Sequence, residues 1–110
     1  MRKHPRCAFM HLVEILLPLF DNDGKRLAPE LYADVREELV GVFGGLTAFS
    51  RSPAEGVWEE GGERSNDDIV IFEVMSDTLD RAWWRRFRER LEREFRQDEI
   101  VVRAREVERL

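Results

Sequence analysis

Apolar and polar positions change period along this chain, and the changes mark out its elements. Over residues 11–20 the period is two. Val13, Ile15, Leu17 and Leu19 fall on one side and Leu12, Glu14 and Leu16 on the other, as in a β-strand. Pro18 marks the end of that strand or an edge position, because it has no amide hydrogen to donate. Asp21-Asn22-Asp23-Gly24 then supplies turn residues. It lacks the alternating ligands and the twelfth-position glutamate of a calcium loop, so it is read as a turn. Over residues 29–43 the period lengthens. Leu31, Val35, Leu39 and Val42 recur at four, four and three residues and form one helical stripe. Pro29 suits the first helical position, and Gly44 or Gly45 supplies a left-handed cap at the far end.

Residues 46–51 return to a strand pattern, and residues 56–60 extend the same ribbon. The polar stretch 59–68, with Gly61-Gly62, reads as a hairpin connection. Residues 69–74 are a β-branched run with Phe72, the clearest strand of the chain. Residues 77–96 read as a second helix with Asp77 as its N-cap and Asp80 in the first turn. Leu79, Trp83, Phe87, Leu91 and Phe95 recur every four residues, and Trp84 widens the stripe. Two adjacent tryptophans cannot both point fully inward, so one is core and the other marginal. Glu89 with Arg93 and Glu92 with Arg96 have the spacing of surface ion pairs. Residues 99–107 form the last strand.

The order strand, helix, strand, strand, helix, strand predicts a ferredoxin-like βαββαβ α+β sandwich. The expected sheet is antiparallel, in spatial order 4-1-3-2, with both helices on one face. Residues 10–110 form a single domain in this reading, and residues 1–9 an extended or disordered tail.

One sheet face is then uncovered. Alternation gives it Leu12, Glu14, Leu16, Ile69, Ile71 and Glu73 from the central strands. Val101, Arg103 and Arg105 come from the last strand, and Thr47, Phe49 and Arg51 from the second. A face this apolar marks a contact surface. A symmetric dimer with two sheets face to face is the simplest way to cover it. Glu14 and Glu73 should be neighbours there, with Arg103 or Arg105 beside them. The plain reading of that group is an interface ion pair. The functional one is an acid–base or ligand-anchoring pair.

Composition narrows the partners. The chain has 110 residues, 43% apolar and 37% charged, with a formal net charge of -5. An acidic balance argues against nucleic acid or an anionic membrane as partner. Cys7 is the single cysteine, which excludes an internal disulfide and favours a reducing, cytoplasmic compartment. Residues 12–20 are too short for a membrane span, and Glu14 interrupts them.

A second candidate site lies in residues 43–58, FGGLTAFSRSPAEGVW. Ser50, Arg51, Ser52, Glu55 and Trp58 gather polar groups, a guanidinium fork and a large aromatic. The plain alternative is a Ser52-Pro53 turn with Trp58 as an interface anchor. Residues 81–96 carry seven arginines, but Glu89, Glu92 and Glu94 interleave with them, so a solvated helix face is the better reading than a nucleic-acid surface. His11 could act as a base near the cleft, although a lone histidine at a strand start is usually structural. Neither histidine has a spaced ligand partner, so no metal is expected. No phosphate loop or nucleophile elbow is present, and no cofactor is expected.

The segments HLVEILLPLFDNDG, FGGLTAFSRSPAEGVW, DDIVIFEVM and RQDEIVVRA, with Trp83-Trp84, resemble a group of small bacterial proteins of uncharacterised function, from Met10 to the C-terminus. That resemblance implies no established activity. In topology the layout is similar to the dimeric α+β barrel superfamily. Its members include cofactor-free monooxygenases, decarboxylases and ligand-binding regulatory modules. The chain lacks the histidine or aromatic constellation that such enzymes often place in the cleft.

The expectation is therefore a homodimeric module that binds a small organic ligand or a partner, without metal or nucleotide. Ser50, Arg51, Glu55, Trp58 and Arg103 are its ligand-binding candidates. The alternative is a cofactor-independent enzyme acting on a small organic acid or aromatic, with Glu14 or Glu73 as base. A third reading is an interaction module using the arginine-rich helix.

Overall fold

The computed structural model describes residues 9–51 and 69–110, apart from the side chain of Arg51. Six elements appear in the expected order. They are β1 (Phe9–Pro18), α1 (Pro29–Phe43), β2 (Thr47–Arg51), β3 (Ile69–Ser76), α2 (Arg81–Glu94) and β4 (Val101–Glu108). The strands form one antiparallel sheet, β2-β3-β1-β4, which is the predicted order read from the other edge.

β1 starts and ends two residues earlier than its sequence period suggests. Phe9 and Met10 pair with Glu108 and Val107, so Phe9 belongs to the sheet and not to a tail. Past Pro18 the chain turns back on itself. The Leu27 amide donates to the Leu19 carbonyl at 2.9 Å, and Phe20 bridges Arg26. That return continues the apolar alternation after the strand has ended. The turn between is built on Asp21, whose Oδ1 accepts from the Asp23 and Lys25 amides at 2.8 and 2.9 Å.

α1 has the expected bounds. Pro29 occupies the first turn, and Gly44 closes the helix at φ 86°, its amide donating to the Val40 carbonyl at 2.8 Å. The stripe ends differently. Val42 is exposed, and Phe43, four residues after buried Leu39, packs against the core instead.

α2 begins at Arg81, not at 77. Its N-cap is Asp80, whose Oδ1 accepts from the Trp83 amide at 3.1 Å. β3 runs on to Ser76, which leaves Asp77 in the bend between the two elements. At the other end Arg96 adopts φ 54°. The Gln97 amide donates to the Glu92 carbonyl at 2.9 Å and the Arg96 amide to the Arg93 carbonyl at 3.2 Å, a Schellman closure with arginine in glycine's usual place.

Both helices pack into one cluster with a single side of the sheet. Val13, Ile15 and Leu17 of β1 and Phe72 and Val74 of β3 meet Val35 and Leu39 of α1 and Trp84, Phe87 and Leu91 of α2. Each such side chain contributes on the order of 1.5–3 kcal/mol through burial. Of the tryptophan pair, Trp84 is the core residue. Trp83 sits at the margin, stacked on Phe87 with ring centres 5.0 Å apart.

The surface ion pairs differ from those the spacing suggests. Glu92 is bound by Arg88 at 2.7 Å, and Arg90 links α2 to Glu38 of α1. Arg96, turned away by its left-handed backbone, lies near Asp21 at 3.8 Å and Asp23 at 3.6 Å. Glu89 with Arg93 and Glu92 with Arg96 are not among the ion pairs of the described residues.

Candidate functional site

The side of the sheet away from the helices carries the residues that alternation assigns to it. The register sets them in rows across the strands. Phe49, Ile71, Leu16 and Val101 form one row, running β2, β3, β1, β4. Thr47, Glu73, Glu14 and Arg103 form the next, followed by Met75, Leu12 and Arg105. An apolar row spanning every strand thus lies beside a charged one. Phe49 is 42% exposed and Val101 45% exposed at the two ends of the apolar row. Ile71 is buried between them and Leu16 partly so.

In the charged row, Arg103 Nε donates to Glu14 Oε1 at 2.7 Å. This hydrogen bond holds the Glu14 carboxyl below its ordinary pKa. Desolvation opposes it, and the charges of Arg103 and Arg105 add to it. A carboxylate stabilised in this way is a weak proton acceptor, so the pair is better suited to structure or binding than to general base work. Glu73 stands directly across from Glu14 on β3 and makes no ion pair among the described residues. Two like charges in opposed positions are unfavourable within one sheet. The Glu73 side chain also hydrogen-bonds Glu14, which adds to the lowering of the Glu14 pKa.

Glu73 also lines a groove of about 300 Å³ at the end of α1, with Leu12, Leu46, Thr47 and Met75 beside Gly44 and Gly45. The sequence period could have found Met75, since 69, 71, 73 and 75 share a face. Ending the strand at Val74 hid it.

The 50–58 cluster is only partly visible. Ser50 pairs with Val70, and alternation turns it to the helix side, opposite to Thr47 and Phe49. Arg51 pairs with Ile69 on the open-face register. Ser52, Glu55 and Trp58 lie outside the described residues. His11, between Ser76 and Glu106 in the register, belongs to the opposite side of the sheet from Glu14, so it does not serve an open-face cleft as a base.

Among the described residues no group of three His, Cys, Asp or Glu is placed to hold a metal ion. No helix among them is long and apolar enough to cross a membrane. No protein-family model, curated protein or solved structure matches the chain. Of the resemblance described above, the small α+β fold with a four-stranded antiparallel sheet is what stands.

Proposed function

We propose that this chain is a binding module that acts as a homodimer, two copies packing open face to open face in the manner of ferredoxin-like, dimeric α+β barrel proteins. The apolar row Phe49–Ile71–Leu16–Val101 is the observation that carries the reading. A face crossed by such a row is more stable covered than wet. Charge supports a second copy as the cover. Glu14 and Glu73 lie beside Arg103 and Arg105, so these rows carry charges of both signs, which a second copy can meet with opposite ones. Arg105 of one copy is the natural partner for Glu73 of the other.

Four strands about 4.8 Å apart and some 20 Å long give a flat footprint of roughly 400 Å². Side-chain relief raises the accessible area towards the low end of specific interfaces, about 600 Å² per partner. The groove beside Glu73 then sits at the interface rim, where a small organic ligand with a donor group would fit.

Sedimentation equilibrium between about 1 and 100 μM tests the reading. The wild-type chain should dimerise across that range. Phe49→Lys with Val101→Lys should give a folded monomer, checked by circular dichroism. A wild-type chain that stays monomeric at 100 μM, or a dimer indifferent to the double substitution, rejects it.

A further inference from the structure

The helix-covered side of the sheet also holds open space. A groove of about 260 Å³ runs between α2 and the β1–β4 half of the sheet. Val13, Val102 and Ala104 line it from the sheet, and Leu79 and Trp84 from the helix side. The groove exists partly because Ala104 is small: alternation turns Val102 and Ala104 towards α2, and a larger side chain at 104 would fill the gap. Arg81, Arg85 and Arg88 line it from the same helix as Trp84, at the spacing that keeps them on one helical face. Arg88 is bound by Glu92 at 2.7 Å and lies 3.9 Å from Glu89. Arg81 and Arg85 make no ion pair among the described residues, and no carboxylate is among those lining the groove.

We propose that this groove binds a small amphiphilic carboxylate, an aryl or short-chain organic acid, with Arg85 and Arg81 on the carboxylate and Trp84, Val102 and Ala104 against the apolar body. Guanidinium forks match carboxylates in shape and charge. Val102 and Ala104 offer an apolar surface next to them, joined by the exposed edge of the otherwise buried Trp84 indole. A bare inorganic anion would leave the floor wet, and a neutral apolar molecule would desolvate the guanidiniums without compensation. The volume lies just below the range of drug-sized sites, roughly 300–1,000 Å³, which suits about a dozen heavy atoms. The arginine row from 81 to 88 spans about 10 Å of helix, too short to follow a nucleic-acid backbone. This site lies across the sheet from the proposed dimer face, so either reading can fail alone.

Amide and indole chemical shifts of the full chain, followed during titration, supply the test. The probes are 3-phenylpropionate, its neutral analogue 3-phenylpropionamide and inorganic phosphate. The acid should move the Trp84 indole and the Val102 and Ala104 amides and saturate at millimolar concentration or below. The amide analogue should bind at least about tenfold more weakly. Arg85→Gln, an exposed substitution that leaves the core intact, should weaken the acid about tenfold and leave the amide analogue unchanged. Ala104→Leu should remove binding of the acid. Equal affinity for acid and amide analogue overturns the proposal, as does equal affinity for acid and phosphate. So does an unchanged response in Arg85→Gln, or the absence of shifts at about 10 mM acid.

Discussion

Glu92→Ala should destabilise this fold far more than an ordinary helix-surface substitution. Glu92 Oε2 accepts from Arg88 Nη1 at 2.7 Å and from the backbone amide of Ile100 at 3.0 Å. Ile100 is a core residue, 2% exposed, and its amide points at this carboxylate instead of into the ladder that begins at Val101. Removing the acceptor strands that amide, at a cost of about 1–3 kcal/mol. The partly exposed Arg88 pair adds only about 0.3–0.5 kcal/mol. The expected loss is therefore about 2 kcal/mol for Glu92→Ala. It is about 1 kcal/mol for Glu92→Gln, which keeps a neutral acceptor, and at most about 0.5 kcal/mol for Arg88→Ala. At roughly 5 °C per kcal/mol, Glu92→Ala lowers Tm by about 10 °C. Urea unfolding followed by far-ultraviolet circular dichroism measures the differences, with the m-value unchanged. Acidity gives an independent reading. The Ile100 hydrogen bond, aided by Arg88 and opposed by desolvation, holds the Glu92 carboxyl below its ordinary 4.5. A depressed carboxyl contributes its full stability above the unfolded value and loses it as pH falls through the folded one. The gap between wild type and Glu92→Gln should hold from pH 7 to 5 and close in more acid solution. If Arg88→Ala costs as much as Glu92→Ala, or the gap ignores pH, the Ile100 contact is not what fastens β4 to α2.

Two further outcomes test the local assignments. Arg96→Gly should raise stability by about 0.5–1 kcal/mol, because φ 54° suits glycine and the contacts of the exposed Arg96 side chain to Asp21 and Asp23 are long, at 3.8 and 3.6 Å. A lower urea midpoint in that variant would show that those contacts outweigh the backbone cost. Arg103→Gln should move the Glu14 titration, followed by carboxyl carbon shifts, up towards its ordinary value. An unmoved titration would mean that Arg103 does not hold the carboxylate.

Where the fold was legible in sequence, a local signal coincided with a global one. α1 starts at Pro29, whose ring fixes φ, and stops at Gly44, which adopts the left-handed angle without a Cβ penalty. The open face could be written down in advance because a period of two leaves no choice once one side is core. Alternation alone brings Glu14 and Glu73 together with Arg103 or Arg105 beside them, and the register sets Arg103 opposite Glu14. The N-cap of α2 was not legible in the same way. Asp77 and Asp80 both have capping chemistry, and only the extension of β3 to Ser76 decides between them. Ion pairs were less legible still. Spacing permits Glu92 to meet either Arg88 or Arg96. The left-handed turn at Arg96, which no residue type there announces, removes the second choice.

The same register sorts the arginines of α2, and the sorting decides where recognition can occur. Arg88, Arg90 and Arg96 are engaged by acids. Arg81, Arg85, Arg86 and Arg93 are not, among the described residues. A helix turns about 100° per residue, so the core stripe divides these four between its two flanks. Arg86 and Arg93 fall on the α1 flank, in a groove that Glu38 and Arg90 share with Trp83. There Glu38, paired with Arg90, puts a carboxylate on the groove itself. Arg81 and Arg85 fall on the β4 flank, over Val102 and Ala104, with no acid on the groove. A chain with net charge -5 repels polyanions at long range, yet on the β4 flank two unpaired cations stand over an apolar floor with no acid lining the groove. Small acids, which feel the local field more than the net charge, are the ligands that such an arrangement selects.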